Sequence, residues 1–225
     1  MDTGAMIAAI DPTSANTAAP VYQLKVVLVG TRRPIWRRVQ VPGNANLGWL
    51  HAVLQIGMGW TNSHLHHFNL GTALYSDTRA HCAEFVGDPE ILEERRAVLQ
   101  DVVPNVQTVF GYEYDFGDSW EHEVVVEKIL PPDATVSAVA LCLEGARACP
   151  PDDCGGVGGY EDLLKILKNR KHPEHKSMKE WLGRPFDAEA FSVEATNAWL
   201  SQLKWPKVTE AQLGKVLLAR DGCRE

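Results

Sequence analysis

The sequence predicts an α+β protein in which a largely antiparallel, twisted sheet is covered on one face by a single helix. Three observations predict it. Strand-like apolar segments dominate the chain up to about residue 143, one helical pattern at 47–58 interrupts them, and the C-terminal third is helical. Turn residues between neighbouring strand-like segments favour hairpins, which join antiparallel strands.

The first predicted elements are two strands and a helix. Residues 22–29 are rich in β-branched side chains, residues 36–41 alternate in polarity, and 32–34 form the turn between them. Asn46 is a suitable N-cap, and apolar residues then recur at helical spacing. We therefore expect an amphipathic helix of about three turns over residues 47–58.

The next strong signal is a hairpin. Two strand-like segments flank the Gly-Asp pair at 117–118, a common turn sequence. With that pair as the turn, Glu113 faces His122 and Asp115 faces Trp120 across the two strands. A four-residue loop keeps the same pairing, whereas a three-residue loop would shift it by one.

The remaining segments complete the predicted domain. Residues 65–70 form another strand, 76–107 are a long excursion with a short helix, and the Pro- and Gly-rich segment 149–156 is an ordered loop. Helical stripes follow it. The domain prediction is a flexible leader over 1–20, one α+β domain over 21–205 and a helical tail over 206–225.

Composition places the chain among ordinary globular proteins. It has 225 residues, of which 45% are hydrophobic, and a formal net charge of −7. It contains no apolar run long enough to span a membrane and no basic secretory start, so we expect a cytoplasmic protein that has no membrane partner. Five cysteines in that compartment are thiols or metal ligands rather than disulfides.

The charge is unevenly distributed. Residues 21–60 contain five basic and no acidic side chains, whereas 61–130 contain thirteen acids and four bases. The acidic segment also holds most of the candidate ligands. Its charge therefore favours binding of a cation over binding of a phosphate.

Histidines near residue 65 form the first candidate site. Strand alternation places His64 and His66 on one face, where two imidazoles can share one metal ion. The alternative is that they hydrogen-bond to loop carbonyls. His51 lies on the buried side of the predicted helix, which favours a satisfied core histidine.

The hairpin supplies the second candidate site. In the predicted register Glu113 and His122 form a carboxylate–imidazole pair on the face shared with Trp120, suited to metal ligation or base catalysis. An exposed cross-strand ion pair is the alternative. Asp118, and Asp115 beside it, are placed to accept backbone N–H groups of the turn.

Cysteines form a third candidate. Cys142, Cys149 and Cys154 can bind zinc if they approach one another and a histidine completes the set. Their spacing is not that of a zinc knuckle, so buried structural thiols are the alternative.

A basic segment with an aromatic residue inside it is the fourth candidate. The residues are Arg32, Arg33, Trp36, Arg37 and Arg38. Phosphate contacts and base stacking on Trp36 would use such a stretch in nucleic-acid binding. Solvated arginines stacked on Trp36 are the alternative, and the acidic total makes nucleic acid the less favoured partner.

Four motifs in order resemble the plasmid pRiA4b ORF-3-like family over about residues 21–203. They are Leu50-His51-x-x-Leu54-Gln55 with Gly59-Trp60-x-x-x-His64-Leu65-His66-x-Phe68; Tyr112-x-Tyr114-Asp115-Phe116-Gly117-Asp118-x-Trp120-x-His122; Cys142 with Ala148-Cys149-Pro150-Pro151-Asp152-Asp153-Cys154-Gly155-Gly156-x-x-Gly159-Tyr160; and Trp181-x-Gly183 with Phe186-Asp187-x-x-x-Phe191. The resemblance implies one α+β domain and an association with mobile elements. It implies no established activity.

Three functions remain open at this point. The first is a binding module whose polar pocket (His51, His64, His66, Glu113, Asp115, Asp118, Trp120 and His122) holds zinc, another divalent metal or a small ligand. The second is a metal-assisted hydrolase, acting on a phosphodiester, with His122 or Glu113 as base. The third is a nucleic-acid accessory protein that uses the basic segment.

Overall fold

The computed structural model describes residues 19–79, 91–132, 140–204 and 208–222 and confirms the α+β class. Its eight strands form one sheet in the order β5-β4-β3-β6-β7-β1-β2-β8, antiparallel except for the β4–β5 pair. The strands are β1 (Val21–Leu28), β2 (Trp36–Pro42), β3 (His66–Leu70), β4 (Ala73–Ser76), β5 (Ile91–Glu93), β6 (Val109–Tyr114), β7 (Trp120–Leu130) and β8 (Leu141–Ala146). The predicted leader falls almost entirely in residues 1–18, outside the described part of the chain.

Six α-helices accompany the sheet in the described ranges. They are α1 (Leu47–Met58), α2 (Leu99–Val102), α3 (Gly156–Lys168), α4 (His175–Leu182), α5 (Val193–Leu200) and α6 (Glu210–Gly222). Leu213 and Leu217 of α6 belong to the same apolar core as α1. The division into a 21–205 domain and a 206–225 tail stays a prediction.

Helix α1 is buried on every side, not amphipathic as the sequence predicts. Asn46 caps its first turn by accepting from the Trp49 N–H, and Gly59 ends it with a φ of 112°. All twelve of its residues are buried, because it packs against β2, α5 and the 3₁₀ turn Glu94–Arg96. Even His51 and Gln55 therefore lie in the interior.

Two buried arginines satisfy the carbonyl groups at the C-terminal end of α1. Arg37 of β2 donates to the carbonyls of Gly57 (2.6 Å) and Met58 (3.3 Å), and also to three carbonyls of β2, β8 and the residue after β8. Arg220 of α6 donates to the carbonyls of Gly59 (3.3 Å) and Trp60 (2.8 Å). A helix end leaves such groups without intrahelical partners, so burying α1 requires these donors.

The hairpin register differs by one residue from the prediction. Tyr112, not Glu113, pairs with His122, because the β6–β7 loop has five residues, 115–119, instead of an even number. Glu113 and His122 therefore point to opposite faces, and the predicted carboxylate–imidazole pair was wrong. The Asp115 carboxylate accepts from the N–H groups of Gly117 (3.0 Å) and Asp118 (3.4 Å), which stabilises the longer loop.

His122 is consequently a core residue. Its Nδ1 donates to the Tyr112 carbonyl at 3.2 Å, and its ring meets that of Trp60 edge-on. Its Nε2 is buried and has no hydrogen-bond partner among the described residues. Burial lowers the pKa of His122 to about 4, so the ring is neutral in the folded protein near pH 7.

The role of Arg37 predicts an asymmetry between two neighbouring arginines. We expect Arg37→Met to lower the free energy of unfolding by about 3 kcal/mol or more, because several buried carbonyls lose their donor. Arg38→Met is the matched control, since Arg38 is bound to Glu127 and Glu144 at the surface and its loss should cost about 1 kcal/mol or less. Urea titrations followed by tryptophan fluorescence measure both; equal losses would contradict this role.

The burial of His122 predicts a pH effect. Unfolded chains protonate histidine below about pH 6.5, whereas folded His122 does so only near its pKa of about 4. Stability should therefore fall as the pH falls through this window, by about 2 kcal/mol between pH 7 and pH 5 from this residue alone. The loss over that interval should be smaller by this amount in His122→Phe, compared by urea unfolding at both pH values. If both proteins lost the same stability between pH 7 and pH 5, His122 would be protonated in the folded state over this interval.

Candidate metal centre

The predicted polar residues separate into two locations instead of one pocket. His51, His66, Trp120 and His122 are buried around α1. His64, Asp115 and Asp118 lie at the tip of the β6–β7 hairpin, and Glu113 lies on the opposite face of the sheet from His122. The buried residues around α1 and the residues at the hairpin tip therefore form two separate groups.

The buried group is a hydrogen-bonded network. The rings of His51 and His66 stack with centroids 3.5 Å apart, and His66 Nε2 lies 2.7 Å from Glu94 Oε2. Both His51 nitrogens have partners, the Tyr112 hydroxyl at 2.9 Å and Asn62 Oδ1 at 2.7 Å. Burial lowers the pKa of His51 to about 3 and raises that of Glu94 to about 7. This agrees with a satisfied core histidine at position 51.

His64 and His66 do not share a ligand site as predicted. Strand β3 begins only at His66, so the alternation assumed for the pair does not extend back to His64. His66 is directed at Glu94, whereas His64 is directed at Asp115 and Asp153. Among the described residues, the group of converging donors that contains His64 includes neither His66 nor His122.

Three side chains converge at the hairpin tip. His64 Nε2 lies 3.5 Å from Asp115 Oδ2 and 3.4 Å from Asp153 Oδ1. The three donor atoms all lie within 4.8 Å of one another, and no other set of His, Cys, Asp and Glu donors among the described residues does so. The His64 Nε2 atom is itself buried and has no hydrogen-bond partner there.

Two loops that are distant in sequence are joined at this point. Asp118 of the hairpin accepts from the Gly155 N–H through Oδ2 at 3.1 Å. A Cβ at Gly156 would lie 2.6 Å from the Asp118 carbonyl oxygen, so the close approach requires glycine. Asp115 and Asp153 both have positive φ, 60° and 58°, a conformation that aspartate tolerates better than most residues.

Asp153 is not among the residues predicted from the sequence, although it stands in the loop that carries the family resemblance. The available signal was a pair of acids held in a Pro- and Gly-rich loop. Its partner Asp152 is also near the cluster: Asp152 Oδ2 accepts from the Thr61 hydroxyl at 2.6 Å, while its Oδ1 is buried without a partner. Burial raises the pKa of Asp152 and raises that of Tyr114 to about 12.

The cysteines do not form the predicted zinc site. Cys142, Cys149 and Cys154 are free thiols, and within the described ranges none joins a group of three potential ligands. Cys142 Sγ lies 3.6 Å from the Glu144 carbonyl, next to it in β8. Burial raises the pKa of Cys149 far above its usual value and that of Cys154 to about 12, so both remain protonated.

The basic segment is largely neutralised by acids from elsewhere in the chain. Arg33 binds Glu189 (2.6 Å), Arg32 lies 3.7 Å from Glu161, and Arg38 binds Glu127 and Glu144. Lys25 and Arg38 lie over the Trp36 ring, as the stacking alternative predicts. Arg37 is buried, with all its N–H groups on backbone carbonyls, which leaves it no surface for a nucleic-acid contact; the use of the other residues of this segment stays a prediction.

Among the described residues, no helix has the length and apolar character needed to cross a membrane.

Two proteins of known sequence or structure are similar over most of their length. An uncharacterised protein, y4hQ, from Sinorhizobium fredii (strain NBRC 101917 / NGR234) is 35% identical over 192 residues, which cover 84% of this chain and 96% of that protein. The crystal structure of a protein of unknown function, MM3350, from Methanosarcina mazei Go1 matches with a TM-score of 0.68 and 38% identity. The match covers 79% of this chain and 98% of that one.

The family resemblance is confirmed by a match to the plasmid pRiA4b ORF-3-like proteins over residues 20–195. That range contains the sheet, α1, the hairpin tip and the loop that carries Asp153. The chain therefore belongs to the plasmid pRiA4b ORF-3-like protein family.

Proposed function

We propose that this protein binds a divalent metal ion through His64, Asp115 and Asp153. The separation of the donor atoms is the observation that carries the proposal. Two ligands of a tetrahedral ion, each bound at about 2.1 Å, are about 3.4 Å apart. His64 Nε2 lies 3.5 Å and 3.4 Å from the two carboxylate oxygens, too far for strong hydrogen bonds and suitable for a shared ion.

The donor set narrows the choice of metal. One imidazole and two carboxylates suit zinc, manganese or ferrous iron, and such mixed nitrogen and oxygen sites bind zinc more tightly than manganese. Three protein ligands leave a fourth position open for water or a ligand, as in catalytic zinc sites. The competing explanation is that His64 forms ion pairs with both aspartates and no metal is bound.

Metal binding by tag-free protein tests the proposal. After removal of metal with EDTA and buffer exchange, we expect close to one equivalent of zinc to bind, measured by calorimetry and by elemental analysis. His64→Gln should weaken binding about 100-fold or more, because loss of a ligand costs at least as much as loss of its outer-shell partner. His67→Gln is the matched control, since His67 faces Glu113 and not the cluster, and its affinity should stay within twofold.

If the protein retained less than about 0.2 equivalents of any transition metal after reconstitution, the metal proposal would be wrong and the ion pairs of His64 would explain the cluster. Equal effects of His64→Gln and His67→Gln would also contradict the assignment, because they would locate the metal elsewhere. Asp153→Asn provides a second variant at an exposed position, where folding is least affected.

Metal-assisted hydrolysis is a second candidate function, favoured by Asp152. This carboxyl group directly precedes the ligand Asp153. Its Oδ2 accepts from the Thr61 hydroxyl at 2.6 Å, and its Oδ1 is buried without a partner among the described residues, which suits a base for a metal-bound water. His122 and Glu113, the two candidate bases predicted from the sequence, do not lie next to the proposed metal ligands. His122 is in the core, and Glu113 contacts Ser119 at 2.9 Å and lies 3.4 Å from His67.

Hydrolysis of bis(4-nitrophenyl) phosphate tests this second candidate. We expect 4-nitrophenolate release to require the metal, and Asp152→Asn to slow it by at least about tenfold, the lower end of what a general base supplies. Metal affinity should be unchanged, since Asp152 is not one of the three ligands. Asp162→Asn on the exposed face of α3 is the control. Release that is independent of metal, or unaffected by Asp152→Asn, would exclude this activity for the site.

A further inference from the structure

A large cleft lies along the Cys149–Asp152 segment, which directly precedes the proposed metal ligand Asp153. Its volume is about 880 Å³, within the range of small-molecule sites. It is bounded by the end of α1, this loop, the segment from α4 to α5, and Arg220 of α6. None of the three proposed metal ligands lines it, and of the candidate site residues predicted from the sequence only Arg37 and Cys149 do.

The walls of the cleft are aromatic. Trp181, Phe186, Phe191 and Trp199 all line it. Trp181 is 46% exposed, whereas Trp49, Trp60 and Trp120 are buried. Aromatic walls of this kind stack on planar rings, and each such contact adds to the effect of burial alone.

The floor of the cleft is positively charged. Arg37 is buried, and no carboxylate in the described ranges lies within ion-pair distance of it. Its guanidinium lies 4.0 Å from the centroid of the Phe191 ring, and its N–H groups are all directed at backbone carbonyls. An uncompensated charge in a poorly hydrated interior creates a positive potential in the cavity above it.

Arg184 adds a cation with free donors. It lines the cleft, is exposed, and makes no hydrogen bond or ion pair with any described residue. Two acids, Asp152 and Asp187, also line the cleft, but each already accepts a hydrogen bond, from Thr61 and from the Glu189 N–H. Three guanidinium groups against two engaged carboxylates give the cleft an excess of positive charge.

We propose that the cleft binds a small aromatic anion, a planar system of one or two rings that carries one carboxylate, sulfonate or phosphate group. The rings stack on Trp181 and its aromatic neighbours, and the anion pairs with Arg184 in the field of Arg37. The proposal does not rest on the metal centre, because every group it uses lies outside the His64 cluster.

Binding of 8-anilinonaphthalene-1-sulfonate to the full chain tests the proposal, with EDTA present so that the metal centre makes no contribution. N-phenyl-1-naphthylamine has the same rings without the sulfonate and serves as the neutral probe. We expect saturable binding of one sulfonate probe per chain, with a fluorescence increase, and binding of the neutral probe at least about tenfold weaker, the equivalent of one charge-assisted contact.

Variants separate the two parts of the recognition. Arg184→Gln should weaken the sulfonate probe about tenfold and leave the neutral probe within twofold, because only the charge is removed. Trp181→Ala should weaken both probes. Arg170→Gln, an exposed arginine outside the cleft, should change neither. Both substituted cleft residues are exposed, so the variants are expected to fold, which circular dichroism checks.

Absence of saturable binding, equal affinity for the two probes, or equal effects of Arg184→Gln and Arg170→Gln would overturn the proposal. None of these outcomes bears on the metal centre, since the titrations contain EDTA.

Discussion

The structure depends on how the C-terminal end of α1 is satisfied. A helix with no exposed face has no access to water at its last carbonyl groups, so protein donors have to replace it. Arg37 and Arg220 supply them, from the second strand and from the last helix. Because Arg37 also donates to the Ala146 and Arg147 carbonyls, the same side chain fixes the end of β8. The sheet, helix α1 and the segment after β8 thus meet at the Arg37 guanidinium, and α6 reaches the same end of α1 through the guanidinium of Arg220.

The local parts of this fold are predictable from the sequence. Strands β1, β2 and β3 and helix α1 lie within a residue or two of the predicted ranges, because alternation and a good N-cap are local signals. The complete burial of α1 is not predictable in this way. It depends on α5 and α6, which are more than 130 residues away, and the sequence of an apolar helix does not show which of its faces other helices cover.

The hairpin shows where local reasoning fails. A Gly-Asp pair between two strands is typical of a two-residue turn, yet Asp115 accepts from two N–H groups inside the loop and lengthens it to five residues. Since side chains alternate, one residue of shift moves His122 to the core and Glu113 to the other face. His64 and Asp115 are predictable as polar candidates, but their meeting with Asp153 requires the contact of Asp118 with Gly155, 37 residues apart.

The charge of a sequence segment is also a poor guide to surface chemistry, because the partners of its charged residues come from distant parts of the chain. Arg32, Arg33 and Arg38 are matched by glutamates that are 89 to 156 residues away in sequence, and Arg37 is buried, so the four arginines form no free basic patch. Conversely, two acids that are adjacent in sequence belong to different sites. Asp152 lines the cleft, whereas Asp153 is directed at His64. The backbone at Asp153, with a φ of 58°, turns between these two directions. Hydrogen bonds hold the loop on both sides of this turn, from Thr61 to Asp152 and from Gly155 to Asp118 of the hairpin tip, so one short loop serves both the aromatic cleft and the carboxylate cluster.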